Sequence, residues 1–236
     1  MESMQSIPSE GVAIVFGAKG GIGEAVLAAI ASSGRFSSVM GFPTDKDAAL
    51  DITNETEIEN AAREARANGQ IRLVLVATGV LSSRGAKAEK RLEDISSEAV
   101  LAAFRVNTLG PLLIAKHFLP LLPRSGKSVF AAISARLGSI GDNRLGGWYS
   151  YRASKAALNQ AIRTSSIELA RRAPDAICLA LHPGTVDTGL SRPFSGTRRP
   201  TLKPSDSAAM LLSVIDNATW KNSGEFLDQN GLKIPW

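Results

Sequence analysis

Short, β-branched apolar runs alternate along this chain with longer alanine-rich stretches of helical spacing, and that alternation predicts a doubly wound α/β fold with a mostly parallel sheet between two helical layers. Two further observations support it. The strand-like runs are apolar throughout rather than at every second position, as strands buried on both faces are. The first of them also ends in a glycine cluster that opens directly into a helix. With 236 residues, 44% of them hydrophobic, the chain has enough apolar surface for one large core and reads as a single domain, 1–236.

In order, the pattern predicts a strand at 12–16 (VAIVF), a helix at 23–33, a strand at 38–42 and a helix at 55–68. A strand at 73–77, a helix near 97–120 and a strand at 128–134 come next. The last elements are a long helix at 151–172, a strand at 176–181, a helix at 204–216 and a short strand at 225–227. Two stretches read as long loops, 138–148 and 189–202, and loops of that length inside a compact domain are usually functional. No internal repeat interrupts the series.

Composition removes several classes. Cys178 is the lone cysteine, which excludes an internal disulfide framework, and residues 1–10 have neither the basic nor the apolar part of a signal peptide, so the expected compartment is the cytoplasm. Runs such as Leu73 to Ala77 are far shorter than the roughly 20 residues a membrane span needs, and no membrane partner is expected. The charge of +5 allows a nucleic-acid or anionic-ligand reading. The basic residues form no arm and no aromatic-interleaved stripe, so no nucleic-acid partner is expected. His117 reads as a surface or interface residue, His182 as packing, and no metal site is expected.

The run Gly17-Ala18-Lys19-Gly20-Gly21-Ile22-Gly23 stands between the first strand and a helix, the context of a dinucleotide-binding turn. Glycines there let the backbone turn tightly and approach a pyrophosphate at the positive end of the helix. The same turn also serves to pack strand on helix. A P-loop would need Ser or Thr after the lysine, and Gly20 follows Lys19 instead. An acidic residue at the end of the second strand would hold the ribose hydroxyl of NAD, but that strand ends Gly41-Phe42; Asp45 and Asp47 lie beyond it. The missing carboxylate and Lys19 lean towards NADP, with NAD left open and Lys19 equally readable as a solvated loop residue.

Tyr151 precedes Lys155 by four residues, so on a helix both share a face. An ammonium beside a phenol favours the phenolate and should lower its pKa from about 10, making a proton donor and acceptor for carbonyl–alcohol chemistry. Taken alone, such a pair reads first as a surface pair on a helix, and its weight comes from the rest of the chain.

With these motifs in this order, the chain resembles the short-chain dehydrogenase/reductase family over almost its whole length. Gly17, Gly21 and Gly23 match the family's glycine turn, and Asp51 in Leu50-Asp51-Ile52-Thr53 matches the aspartate that meets the adenine. Asn107 matches the active-site asparagine that holds a relay water; Ser134, Tyr151 and Lys155 match the catalytic serine, tyrosine and lysine. Pro183-Gly184-Thr185-Val186-Asp187-Thr188 matches the stretch along the nicotinamide. The segment 146–155 and the ending 231–236 look most like the C-factor-type members. The resemblance implies a Rossmann domain with a seven-stranded sheet. It also implies a cofactor site formed by Gly17, Lys19, Gly21, Ile22, Gly23, Asp51, Ile52, Ala77, Thr78, Gly79, Asn107, Tyr151, Lys155, Pro183, Gly184, Val186 and Thr188.

What it further implies is hydride transfer between NADP(H) and a small carbonyl or alcohol substrate, in a homodimer or homotetramer paired through helices near 100–119 and 151–172. The alternative is a cofactor-binding regulatory or signalling protein without turnover. Phe16 stands where the family usually has threonine, and Ala77-Thr78-Gly79 replaces Asn-Ala-Gly. Ser134 and Tyr151 are 17 positions apart, which puts extra loop at the mouth of the site. Arg192, Arg198, Arg199 and Lys203, in the loop after Thr188, read either as an attractor for an anionic substrate or as a solvated surface.

Overall fold

A computed structural model describes residues 4–44, 50–81, 88–191 and 201–236. Six strands form one all-parallel sheet: β1 (Val12–Phe16), β2 (Ser38–Phe42), β3 (Ile71–Val76), β4 (Ser128–Ile133), β5 (Ala176–Leu181) and β6 (Phe226–Leu227), in the spatial order β2-β1-β3-β4-β5-β6. Side-chain alternation sorts each strand between two cores. Val12, Ile14 and Phe16 of β1 face one side with Phe130 of β4 and Cys178 of β5, whereas Ala13 and Val15 face the other with Val129 and Leu179. Helices α2 (Glu55–Ala67), α4 (Gly110–Phe118) and α5 (Tyr149–Arg172) cover the first face through Ile58, Ile114 and Leu158; α1 (Gly21–Ser32) and α6 (Pro204–Asn217) cover the second through Ile30 and Leu211.

The expected seventh strand is absent among the described residues, and the sheet is wholly parallel. Only six strand-length apolar runs exist to fill it. After β6 the chain turns at once, with Asp228 Oδ1 accepting from the Asn230 and Leu232 N–H groups, and it returns to Leu227 only as a single antiparallel bridge from Lys233.

The helix expected near 97–120 is divided. Ser96 caps α3 (Ser97–Phe104) by accepting from the Ala99 N–H, and a π turn at Arg105–Leu109 then leads into α4. The run Ser97–Leu121 is long and apolar enough by length and composition to cross a membrane, but here Ile114, Ala115 and Phe118 of α4 pack into the core beside the sheet, and α3 lies against α5. His117 sits beside Glu55, 3.1 Å from Nε2 to Oε1, and Cys178 is buried, with its thiol pushed up to about 12 by burial.

Phe16, in place of the family's threonine, is fully buried; its ring stacks on Phe42 at 5.1 Å and meets Phe118 edge-on at 5.2 Å. An apolar brace, with about 1 kcal/mol from each ring pair beyond burial, thus stands under the glycine turn. The chain leaves β1, forms β2 on one side, and crosses back to β3 on the other. This reversal opens a crevice at the carboxyl ends of β1 and β3.

Candidate active site

That crevice widens into a cavity of about 670 Å3. One wall is the turn from β1 into α1. Gly17 has φ of +80°, and a Cβ there would lie 2.8 Å from the Ala77 carbonyl oxygen; a Cβ on Gly23 would lie 2.1 Å from that of Gly17. Only glycine permits both approaches. Gly17 and Gly23 therefore shape the turn from beneath, while Lys19, Gly21 and Ile22 line the cavity. Gly20, the N-cap of α1, provides no side-chain cap, which leaves first-turn amides for an anion.

Ala77, Thr78 and Gly79 continue the wall beyond β3, and Pro183, Gly184, Val186 and Thr188 close it beyond β5. Thr78 Oγ1 is buried without a partner among the described residues. An orphaned hydroxyl beside a side-chain-free backbone cradle fits a polar, phosphate-bearing cofactor. Phe42, at the end of β2, turns its ring to Phe16 and accepts the Gly17 N–H at its carbonyl (2.9 Å); among the described residues no carboxylate ends β2. Asp51 and Ile52 do not line the cavity. Asp51 Oδ1 accepts from the N–H and hydroxyl of Thr53, and Ile52 is buried against Gly110. Asp45, Asp47, Arg192, Arg198 and Arg199 lie outside the described residues.

Ser134, just past the end of β4, lines the same cavity as Tyr151 and Lys155 on α5. Lys155 Nζ donates to the Ile133 carbonyl at 2.8 Å and lies 6.0 Å from the centre of the Tyr151 ring. Burial pushes the Tyr151 phenol up to about 12 and the Lys155 amine down to about 7. Burial thus opposes the acidified phenol expected from the sequence, because desolvation penalises both charged forms. Asn107, fully buried in the π turn, does not line this cavity. Its Nδ2 donates to the Val80 carbonyl (2.8 Å) and to Ser154 Oγ (3.0 Å), and its Oδ1 accepts the Val80 N–H (2.9 Å). It fastens the segment after β3 to α5.

The extra loop does stand at the mouth, where Leu137, Asp142, Arg144, Leu145 and Trp148 line the cavity. Gly146, Gly147 and Trp148 are consecutive left-handed residues leading into α5. The Arg152 guanidinium holds this bend by donating to the carbonyls of Gly147 (2.9 Å), Gly146 (3.1 Å) and Leu137 (3.3 Å). Glu89, buried, accepts from the Ser150 N–H and hydroxyl and so caps α5 from 61 residues away. His182 lines the cavity; burial holds its imidazole down at about 4, and Nδ1 has no partner among the described residues.

Sequence reasoning passed over three residues here: Glu89, Arg152 and Asn159, whose Oδ1 accepts the Ser134 hydroxyl at 2.6 Å. Asn159 alone carried a readable signal, since it lies one further helical repeat beyond Tyr151 and Lys155 on α5. Glu89 and Arg152 act through long-range or loop contacts that no local pattern reports.

A backbone cradle for a dinucleotide facing a wall of buried proton-carrying groups defines the class of pyridine-nucleotide-dependent oxidoreductases. The comparisons agree. A family model described as "Enoyl-(Acyl carrier protein) reductase" matches residues 9–227. The chain is 37% identical to the C-signal protein of Myxococcus xanthus over 145 residues, 61% of this chain and 83% of that one. It is 32% identical to 1-hydroxy-2-glutathionyl-2-methyl-3-butene dehydrogenase of Rhodococcus sp. (strain AD45) over 218 residues, 91% and 89% of the two chains. Among solved structures it is similar to the NADPH-bound carbonyl reductase from chicken fatty liver, with a TM-score of 0.84 at 25% identity, covering 100% and 98% of the chains. The chain belongs to the NAD(P)-dependent short-chain dehydrogenases/reductases, a family that acts on small carbonyl and alcohol substrates.

Proposed function

We propose that this chain reduces a small carbonyl compound to its alcohol with NADPH, residues 1–236 acting as one cofactor-binding unit whose own loops form the substrate site. The observation that carries the reading is the single cavity shared by the glycine turn, Ser134, Tyr151 and Lys155. Lys19, Gly21, Ile22, Thr78, Gly79, Pro183, Gly184, Val186 and Thr188 would hold the cofactor from the cavity side, with Gly17, Gly23, Asp51, Ile52, Ala77 and Asn107 at its margins. When bound, the nicotinamide supplies the hydride equivalent that a carbonyl carbon accepts. Ser134 holds the substrate oxygen by a hydrogen bond, and Tyr151 donates the proton that turns this oxygen into a hydroxyl. Lys155, one helical turn on, supports the charge Tyr151 acquires as it gives up that proton. Asn107 keeps the cofactor wall and α5 in register.

NADPH rather than NADH is supported by Phe42, turned into the core where a ribose-binding carboxylate would stand, and by Lys19 on the cavity wall. Assembly into a dimer or tetramer is supported by exposed Leu101, Leu112 and Ile167 on α3, α4 and α5. Sedimentation as a monomer at micromolar concentration would remove that part.

The decisive assay mixes the protein with NADPH and a panel of aldehydes, ketones and quinones and follows nicotinamide absorbance. Turnover that disappears in Tyr151→Phe supports the reading. Tight NADPH binding with no rate on any carbonyl would favour the regulatory alternative, and full activity in Tyr151→Phe would remove the mechanism.

A further inference from the structure

Ser134 Oγ donates to Asn159 Oδ1 at 2.6 Å, and both side chains are only 2% exposed. Asn159 Nδ2, on the other side of the same amide, is buried with no partner among the described residues. We propose that Asn159 is the positioning residue of the Ser134 hydroxyl and that its amide sets the direction in which the Ser134 proton points. The inference rests on Ser134 being the group that meets the substrate oxygen.

A serine hydroxyl has one proton and two lone pairs. While that proton is given to Asn159 Oδ1, Ser134 can only accept, which suits an alcohol. A carbonyl oxygen brings no proton, so it needs Ser134 to donate. Half a turn of the Asn159 amide puts Nδ2 where Oδ1 was, donating to Ser134 Oγ and sending the serine proton outward. The turn gives up no hydrogen bond at Nδ2, because Nδ2 has none to lose. It also gives one of that buried group's two unmet N–H donors a partner, leaving a carbonyl oxygen in its place. An amide is the side chain that offers donor and acceptor in one shape; a carboxylate or an alkyl group offers one or neither.

The critical variant is Asn159→Asp. As a carboxylate it only accepts and ties the Ser134 proton inward. As a carboxylic acid it regains a donor. At pH 8 its kcat/KM should fall about 100-fold, the scale of losing one donor to a developing oxyanion. Reduction and oxidation should fall by the same factor, since both directions share one transition state. Activity should recover as pH is lowered, adding an acid-dependent limb absent from the parent.

Asn159→Leu, made alone and in Ser134→Ala, closes a double-mutant cycle: a loss of about tenfold in the parent and none in the serine variant is expected. NADPH affinity by calorimetry should stay within about twofold in every variant. The Asn159 side-chain NH2 resonances of the ligand-free protein should shift in Ser134→Ala. A pH profile of Asn159→Asp parallel to the parent, or losses that multiply in the cycle, overturns the inference; if Asn159→Asp does not fold, the leucine cycle decides alone. Ser134→Ala with parental activity would instead bring down the catalytic assignment of Ser134, and this inference with it.

Discussion

The β1–α1 turn and the inner face of α5 border the same cavity by opposite means. At the turn the site is made by leaving side chains out: a methyl group on Gly17 or Gly23 would collide with backbone. On α5 it is made by putting them in, with Tyr151, Ser154, Lys155 and Asn159 all buried along one face. One region is a backbone shape without side chains; the other holds Tyr151 and Lys155 away from water. The difference teaches that binding and proton transfer should be separable by mutation.

The largest effect tests that separation directly. Tyr151→Phe should lower kcat by about 1,000-fold, within the range for a lost general acid, while NADPH affinity measured by calorimetry changes only a few-fold. A matching collapse in affinity would mean the two regions are not separable. Next comes Gly23→Ala at the turn. Its Cβ would meet the Gly17 oxygen at 2.1 Å, so NADPH affinity should drop at least about tenfold and stability by about 2 kcal/mol. Unchanged affinity would show that the cradle is not the binding surface.

Lys155→Met sharpens the contrast through pH. Unfolded, the lysine keeps its proton to about 10.5; folded, burial releases it above about 7. Between these values the unfolded state binds more protons, so Lys155 makes the parent's stability rise with pH, a contribution the variant lacks. The difference in thermal midpoint between the two should therefore move in the parent's favour from pH 7 to pH 10. Above pH 10 the raised Tyr151 phenol acts in the opposite sense, since the folded state then holds the extra proton. Lys127, held down at about 8 by burial, adds a slope to both proteins and cancels. A flat difference across the window would mean Lys155 is not desolvated.

The smallest effect belongs to Thr78→Val. Removing a buried hydroxyl that has no partner should leave the ligand-free protein as stable or about 1 kcal/mol more so, while weakening NADPH a few-fold. A fall in ligand-free stability would show that the hydroxyl is satisfied before the cofactor arrives.

The same contrast explains what could be read in advance. The turn is local: seven consecutive residues specify it, and Gly17, Gly21 and Gly23 stand in the structure as their spacing suggests. Tyr151 and Lys155 were legible for the same reason, being one helical repeat apart. Their protonation was not, because desolvation depends on what the whole fold lays over them. Glu89 capping α5, Arg152 holding the loop carbonyls and Asn107 fastening Val80 are contacts across loops or tens of residues, which no periodicity encodes. The seventh strand failed for a plainer reason, having no apolar run of its own.

The left-handed residue at the head of α5 has an optical consequence. Of the three tryptophans only Trp148 lines the cavity, its ring centre 6.3 Å from that of Tyr151, whereas Trp220 is 63% exposed and Trp236 stacks on Phe226. Light absorbed by that one indole is released beside the place where a reduced nicotinamide would lie, close enough for the excitation to pass between them. With NADPH in the proposed site, a titration without label or substrate should quench tryptophan emission, and Trp148→Phe should remove the Trp148 share of that change.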